Sequence, residues 1–259
     1  SVITEQFGGP GPFLTTVEDQ RPSEATIRSG NQKTHAVSNF KRSIPISREY
    51  FDDDQHDTVQ SIFELLGTRA KTSRDKNAFG FYVGGFSTYK SNDDTNVWSD
   101  SHTSLNGDTI DNLSSGALTP ATFETLWRLL VEQKSQDGEA GGHTPTAFLV
   151  PPILLPKAHE FLQSDLKANT TDNNLNYWSK IYPGLQIFSS IYLSSSFDPT
   201  GYANAQTAHY LVSQNHSITR WVRESIYTRL VNWETDDLDR YIYKAGFREA
   251  VAVVSWEGA

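Results

Sequence analysis

Apolar residues recur at Val59, Ile62, Phe63, Leu66 and Ala70, the three-and-four spacing of a helix with one buried face. Just ahead runs Ile44-Pro45-Ile46-Ser47-Arg48-Glu49-Tyr50-Phe51. Pro45 closes off any helix before it, and Ser47 is placed to cap a first turn. Asp52, Asp53, Asp54 and Asp57 crowd the start of this stretch, and Arg69, Lys71, Arg74 and Lys76 crowd its end. Each sign sits where the helix dipole favours it. The pattern predicts a helix of about 22 residues from Phe51, a rod of roughly 33 Å at 1.5 Å per residue.

Two more helices follow. Thr119-Pro120 gives a cap and a first-turn proline, with Phe123, Leu126, Trp127 and Leu130 as the apolar face and an end near Lys134. Leu155 to Leu166 carries Pro156 in its first turn and Ala158, Phe161, Leu162 and Leu166 inside. Strand patterns appear at Thr146 to Val150, stopped by Pro151-Pro152, at Leu185 to Leu193, at Thr207 to Val212, and over Tyr241 to Val254. Ala78 to Phe86 reads as a strand or buried turn, and Ile218 to Leu230 mixes strand and helix signals. Lys90 to Gly116, Ser135 to His143 and Asn169 to Asn176 read as loop. The whole is α+β.

The front of the chain has little apolar face of its own. Phe7-Gly8-Gly9-Pro10-Gly11-Pro12-Phe13-Leu14 is too rich in Gly and Pro for a regular element. It leaves Phe7, Phe13 and Leu14 on a segment unable to bury them locally. From Arg21 to about Ile46, alternation over Thr34 to Phe40 and a turn signal at Ser29-Gly30-Asn31 predict a two-stranded hairpin. A hairpin with so thin a core needs a partner surface.

Composition sharpens this. Hydrophobic residues make up 37% of 259 and mean hydropathy is −0.51, which suits a chain with much polar loop or one that completes its burial by assembling. Net charge is −9, against a general nucleic-acid binder. Yet from Arg21 to Arg48 the cations Arg21, Arg28, Lys33, Lys41, Arg42 and Arg48 face Glu24 alone. Such a run is a solvated loop or an arm meant for an acidic surface on another subunit. Cysteine and methionine are both absent, so neither disulfides nor thiolate metal sites hold the fold. A start at Ser1 fits removal of an initiator Met or maturation of a longer precursor.

No reactive constellation is legible. The seven histidines form no close metal-ligand pair, and no HExxH or Gly-x-Ser-x-Gly occurs. Asp93, Asp94, Asp100, Asp108 and Asp111 lack the spacing of a helix-loop-helix calcium site. The expectation is no enzyme, no cofactor and no metal.

In their order, the arm, the basic hairpin, the long helix, the central α/β region and the terminal β segment resemble the major capsid protein of tailed bacteriophages, the Hong-Kong-97-type shell fold. Three phrases carry the likeness, and they are most similar to Mu-like head subunits: Ile44 to Phe51; Leu118 to Lys134 followed by His143-Thr144-Pro145-Thr146-Ala147-Phe148-Leu149-Val150-Pro151-Pro152; and Asp236 to Trp256. The resemblance implies an N-terminal arm over 1–20 and an extended E-loop over 21–46. It implies a peripheral domain with a spine helix over 47–143 and 223–259, and an axial domain over 144–222. It implies hexamers and pentamers closing an icosahedral shell around double-stranded DNA without sequence-specific binding, assembly in the host cytoplasm, and possible scaffold, portal and decoration proteins. The expected inter-subunit contacts are Phe7, Phe13, Leu14, Arg28, Lys33, Lys41 and Arg42, with Asp52, Asp53, Asp54, Asp236 and Asp237 as acidic counterparts. The alternatives are an encapsulin-type compartment, a β-rich surface binding module and a hydrolase without a recognisable motif.

Overall fold

The computed structural model describes residues 1–12, 14–16, 18–54, 57–166, 175–181, 184–194, 206–231 and 240–258. In chain order the elements are β1 (Val2–Phe7), β2 (Ser29–His35), β3 (Ser38–Ser47), α1 (Arg48–Asp52), α2 (Thr58–Gly84), β4 (His102–Thr103), β5 (Thr109–Ile110) and α3 (Pro120–Val131). There follow β6 (Pro145–Val150), α4 (Leu155–Gln163), α5 (Tyr177–Ile181), β7 (Gln186–Ser189), β8 (Tyr210–Ser213), β9 (Ile218–Val231) and β10 (Arg240–Val253). Two compact units result: residues 1–2, 34–78 and 220–251 form one, and 3–33, 79–219 and 252–259 the other.

The first unit is a three-stranded sheet in the order β3-β10-β9 with a helix on one face. β3 and β10 run antiparallel, from Arg240 opposite Ser47 to Glu249 opposite Ser38. Alternation places Phe40, Ile44, Ile46, Tyr241, Tyr243 and Phe247 on one side. Phe40 stacks on Phe247 at 4.7 Å and Phe63 of α2 on Tyr243 at 3.8 Å. Gly246 is required where it lies: a Cβ there would meet the Phe40 carbonyl oxygen at 2.8 Å.

The long helix departs from its expected limits. Ser47 does cap a turn, accepting from the Tyr50 amide at 3.3 Å, but that turn is α1 and ends at Asp53. α2 begins afterwards, where the Asp54 carboxylate accepts from the amides of Thr58 at 3.1 Å and Val59 at 2.8 Å. It runs 27 residues, roughly 40 Å at 1.5 Å per residue. Ala78 to Gly84 is therefore helix, not strand, because Phe81 and Val83 are buried there and packing overrides the weak propensity of Gly and aromatic residues. Arg69 to Lys76 fall mid-helix, and α2 has neither acids in its first turn nor bases in its last. The expected match of charge to the helix dipole therefore fails at the C-terminal end and survives at the start in the Asp54 carboxylate alone.

The second unit holds a sheet ordered β7-β6-β8, with β6 parallel to β7 and antiparallel to β8. α3 and α4 supply its core: Phe123 lies edge-on to Phe148, Phe161 and Trp178 at 5.2, 5.4 and 5.1 Å. Thr119 caps α3 through a reciprocal box with Thr122, as the Thr-Pro start predicts. α4 stops at Gln163, so Leu166 is exposed rather than inside. The strand expected to reach Leu193 ends at Ser189 and gives way to a 3-10 turn. Lys90 to Gly116 is loop, save for the β4–β5 pair. Most of 169–176, and all of 232–239, lie outside the described residues.

The front of the chain is also corrected. Val2 to Phe7 is a strand, ahead of the Gly/Pro run, and β2 pairs with it rather than with β3. Ser29-Gly30-Asn31 lies inside β2 and makes no hairpin turn.

Candidate assembly surfaces

The arm is partly anchored. Thr4 and Gln6 of β1 are buried. The Thr4 hydroxyl bonds the Asn92 side chain at 3.1 Å, and the Asn92 amide donates to the carbonyls of Thr4 at 3.3 Å and Asn31 at 3.1 Å. Asn92 is held in turn by its neighbours. Asp93 bonds His102 Nδ1 at 2.7 Å and accepts from Thr95 at 2.8 Å and from Ser91, while His102 Nε2 faces the Val97 carbonyl at 3.1 Å. Both ring nitrogens thus face acceptors, with the imidazole wholly buried. Burial raises the Asp93 carboxyl, but the bonds from His102, Ser91 and Thr95 outweigh it and hold the group well below the usual carboxylate range. Sequence reading missed this network. Its one signal was the Ser-Asn-Asp-Asp turn, which looked like solvated loop.

Beyond the anchor the front end is uncovered. Phe7, Leu14 and Ile27 are 61, 67 and 64% exposed, and almost every described residue from Pro10 to Arg28 is exposed. Phe13 lies outside the described residues. Arg21 pairs with Glu24. Arg28 donates to the Leu105 carbonyl at 3.3 Å, and Lys33 to those of Lys90 and Ser91 at 3.1 and 2.9 Å. Both belong to the anchor. Lys41 and Arg42 have no ion-pair partner among the described residues. Arg42 borders a groove of about 600 Å³ between β3 and α2, lined by Phe40, Ile44, Ile62, Leu65 and Arg69.

The acidic counterparts have work inside the chain. Asp52 pairs with Arg48 at 3.4 Å, the Asp53 amide closes α1 on the Glu49 carbonyl, and Asp54 caps α2. Asp236 and Asp237 lie outside the described residues. No group of three or more His, Cys, Asp or Glu capable of holding a metal occurs among the described residues, and no described helix is long and apolar enough to cross a membrane.

The family model described as phage capsid protein matches residues 31–259. No curated protein matches the chain. Among solved structures, the capsid of bacteriophage JBD30 aligns with a TM-score of 0.57 at 15% identity over 74% of this chain and 86% of that one. A chain of Gordonia phage Cozz gives 0.55 at 11% identity over 98% and 78%. The capsid of Myoviridae phage XM1 gives 0.53 at 11% over 98% and 82%. At such identities these likenesses carry the fold, which is the Hong-Kong-97-type shell fold. The match over most of the length carries the rest: this chain belongs to the phage capsid protein family, as a major capsid protein that builds the head shell and not as an enzyme.

Proposed function

We propose that copies of the chain close as hexamers and pentamers into the icosahedral shell of a virion around double-stranded DNA, after assembly in the host cytoplasm. Residues 1–20 act as the arm and 21–46 as the E-loop that reaches over a neighbour. Residues 47–143 and 223–259 act as the peripheral domain, and 144–222 as the axial domain. The observation that carries this reading is the front end, where Phe7, Leu14 and Ile27 stand exposed on extended chain. Apolar surface left in water is costly, at about 25 cal/mol per Å², and in a shell a neighbour covers it. Within the arm-and-hairpin set, Phe7, Leu14, Lys41 and Arg42 remain available for such contacts, whereas Arg28 and Lys33 anchor the arm. The JBD30 capsid is decorated with minor capsid protein trimers, and a decoration, scaffold or portal partner belongs to the same proposal.

Electron microscopy of the purified protein, with analysis of what its particles hold, tests this. Closed shells that retain double-stranded DNA when isolated from infected cells are expected. A monodisperse monomer at every concentration and salt tried sinks the reading. Shells filled with a protein cargo move it to an encapsulin-type compartment.

A further inference from the structure

The sheet of the first unit has a second face, away from α2. Contacts fix which residues lie on it. Phe63 of α2 stacks on Tyr243, Asn77 of α2 bonds Glu249 at 3.0 Å, and Thr228 lies over Gly67 of α2. Arg220 points to Glu249 as well, at 3.9 Å. Odd positions of β10 and even positions of β9 and β3 therefore face the helix. The opposite parity faces away. Tyr227 and Lys41 confirm it, since both flank Gly246, where a Cβ would meet their side chains at 2.9 and 3.1 Å.

That outer face carries Lys41, Arg223, Arg229, Arg240, Lys244 and Arg248. It also carries Trp221, Tyr227, Ile242 and Pro45. It carries no acid: Glu224 and Glu249, the acidic residues of the three strands, fall on the helix side. Lys41, Arg223, Arg229, Lys244 and Arg248 have no ion-pair partner among the described residues. Arg248 Nε is buried with no hydrogen-bond partner there. The Arg229 guanidinium lies over the Tyr227 ring at 5.5 Å.

Charge and composition choose the occupant. Taking these six cations from a net charge of −9 leaves −15 on the rest of the chain. The acidic parts of a second copy's remaining surface are then electrostatically complementary, while a polyanion meets net repulsion at long range. Composition agrees, because Arg, Trp and Tyr without Asp or Glu is the profile of a protein–protein contact core. We infer that this face is an inter-subunit surface, covered in the shell by an acidic surface of a second copy. The inference rests on the shell reading and, Lys41 apart, names a contact that the front-end charges do not include.

The test reverses charge at Arg223 and Arg229, both exposed and both remote in sequence from the arm. Wild type, Arg223→Glu/Arg229→Glu and Arg223→Lys/Arg229→Lys are compared for shell yield by sedimentation and microscopy, for melting of the unassembled subunit, and for nucleic acid held per shell. The Glu pair should melt like wild type yet lower shell yield at least roughly tenfold at low salt, because weak contacts repeated over many copies multiply. The Lys pair should keep most of the yield. Normal yield from the Glu pair overturns the inference and leaves the shell reading standing. Normal yield with DNA retention lost also overturns it, and assigns the face to nucleic acid. Wild-type protein that forms no particles overturns the shell reading, and this inference with it.

Discussion

The two units bury their apolar surface differently. In the second, Phe123, Phe148, Val150, Ala158 and Leu211 lie in one cluster, each 3% exposed or less. In the first, a helix covers one face of a sheet, and much that is apolar stays in water: Leu65, Val222 and Leu230 are 53, 48 and 47% exposed. The second unit closes a core from its own residues. The first leaves apolar side chains in water on the helix side of its sheet and carries cations on the other side. In a shell subunit that division makes sense, since a unit meant to be covered by neighbours needs only enough internal packing to present its faces.

Core truncation separates the units most strongly. Phe123→Ala removes a ring from a filled cluster and should cost about 3–5 kcal/mol. Phe63→Ala removes a half-buried ring whose main partner is Tyr243, and should cost the free subunit only about 1–2 kcal/mol. Urea unfolding of unassembled protein checks both. Equal losses would erase the contrast.

Asp93→Asn comes next. It removes the buried carboxylate that accepts from His102, Thr95 and Ser91, for a loss of about 2–3 kcal/mol at neutral pH. The sign with pH follows from the lowered Asp93 pKa. A carboxyl depressed in the folded state contributes its stability in full above the unfolded value, near 3.9, and loses it as pH falls below that toward the folded value. Urea midpoints from pH 7 to 3 should fall on the acid side in wild type and fall less in the variant. Hydrogen exchange should rise in β1 and β2, which Asn92 holds. Unchanged exchange there would detach the arm from this network.

How much of this was legible depended on whether the deciding contact was local. The α3 start was legible because Thr119, Pro120 and Thr122 settle it among themselves. The stop at Pro151 and the Ser47 cap were legible for the same reason. The partner of β2 was not, because it is decided by Asn92, 61 residues from Asn31. Ala78 to Gly84 reads as strand or turn until its burial is known. The even spacing of Arg240, Lys244 and Arg248 is visible in the chain, as is that of Arg223 and Arg229. That they share a face with Lys41 follows only from the order β3-β10-β9.

The acids between α1 and α2 sharpen the comparison at its fine end, because neighbours in sequence have unequal roles. Asp54 satisfies two of the amides that a helix start leaves unpaired, so Asp54→Ala should cost about 1 kcal/mol and fray the first turn of α2. Asp52 makes one exposed pair with Arg48. Asp52→Asn should change the stability of the free subunit by less than about 0.5 kcal/mol. If Asp52 nevertheless meets a cation on a neighbour, its loss will appear in shell yield and not in the melting of the subunit. An equal and small effect in both measurements would confine Asp52 to its own chain.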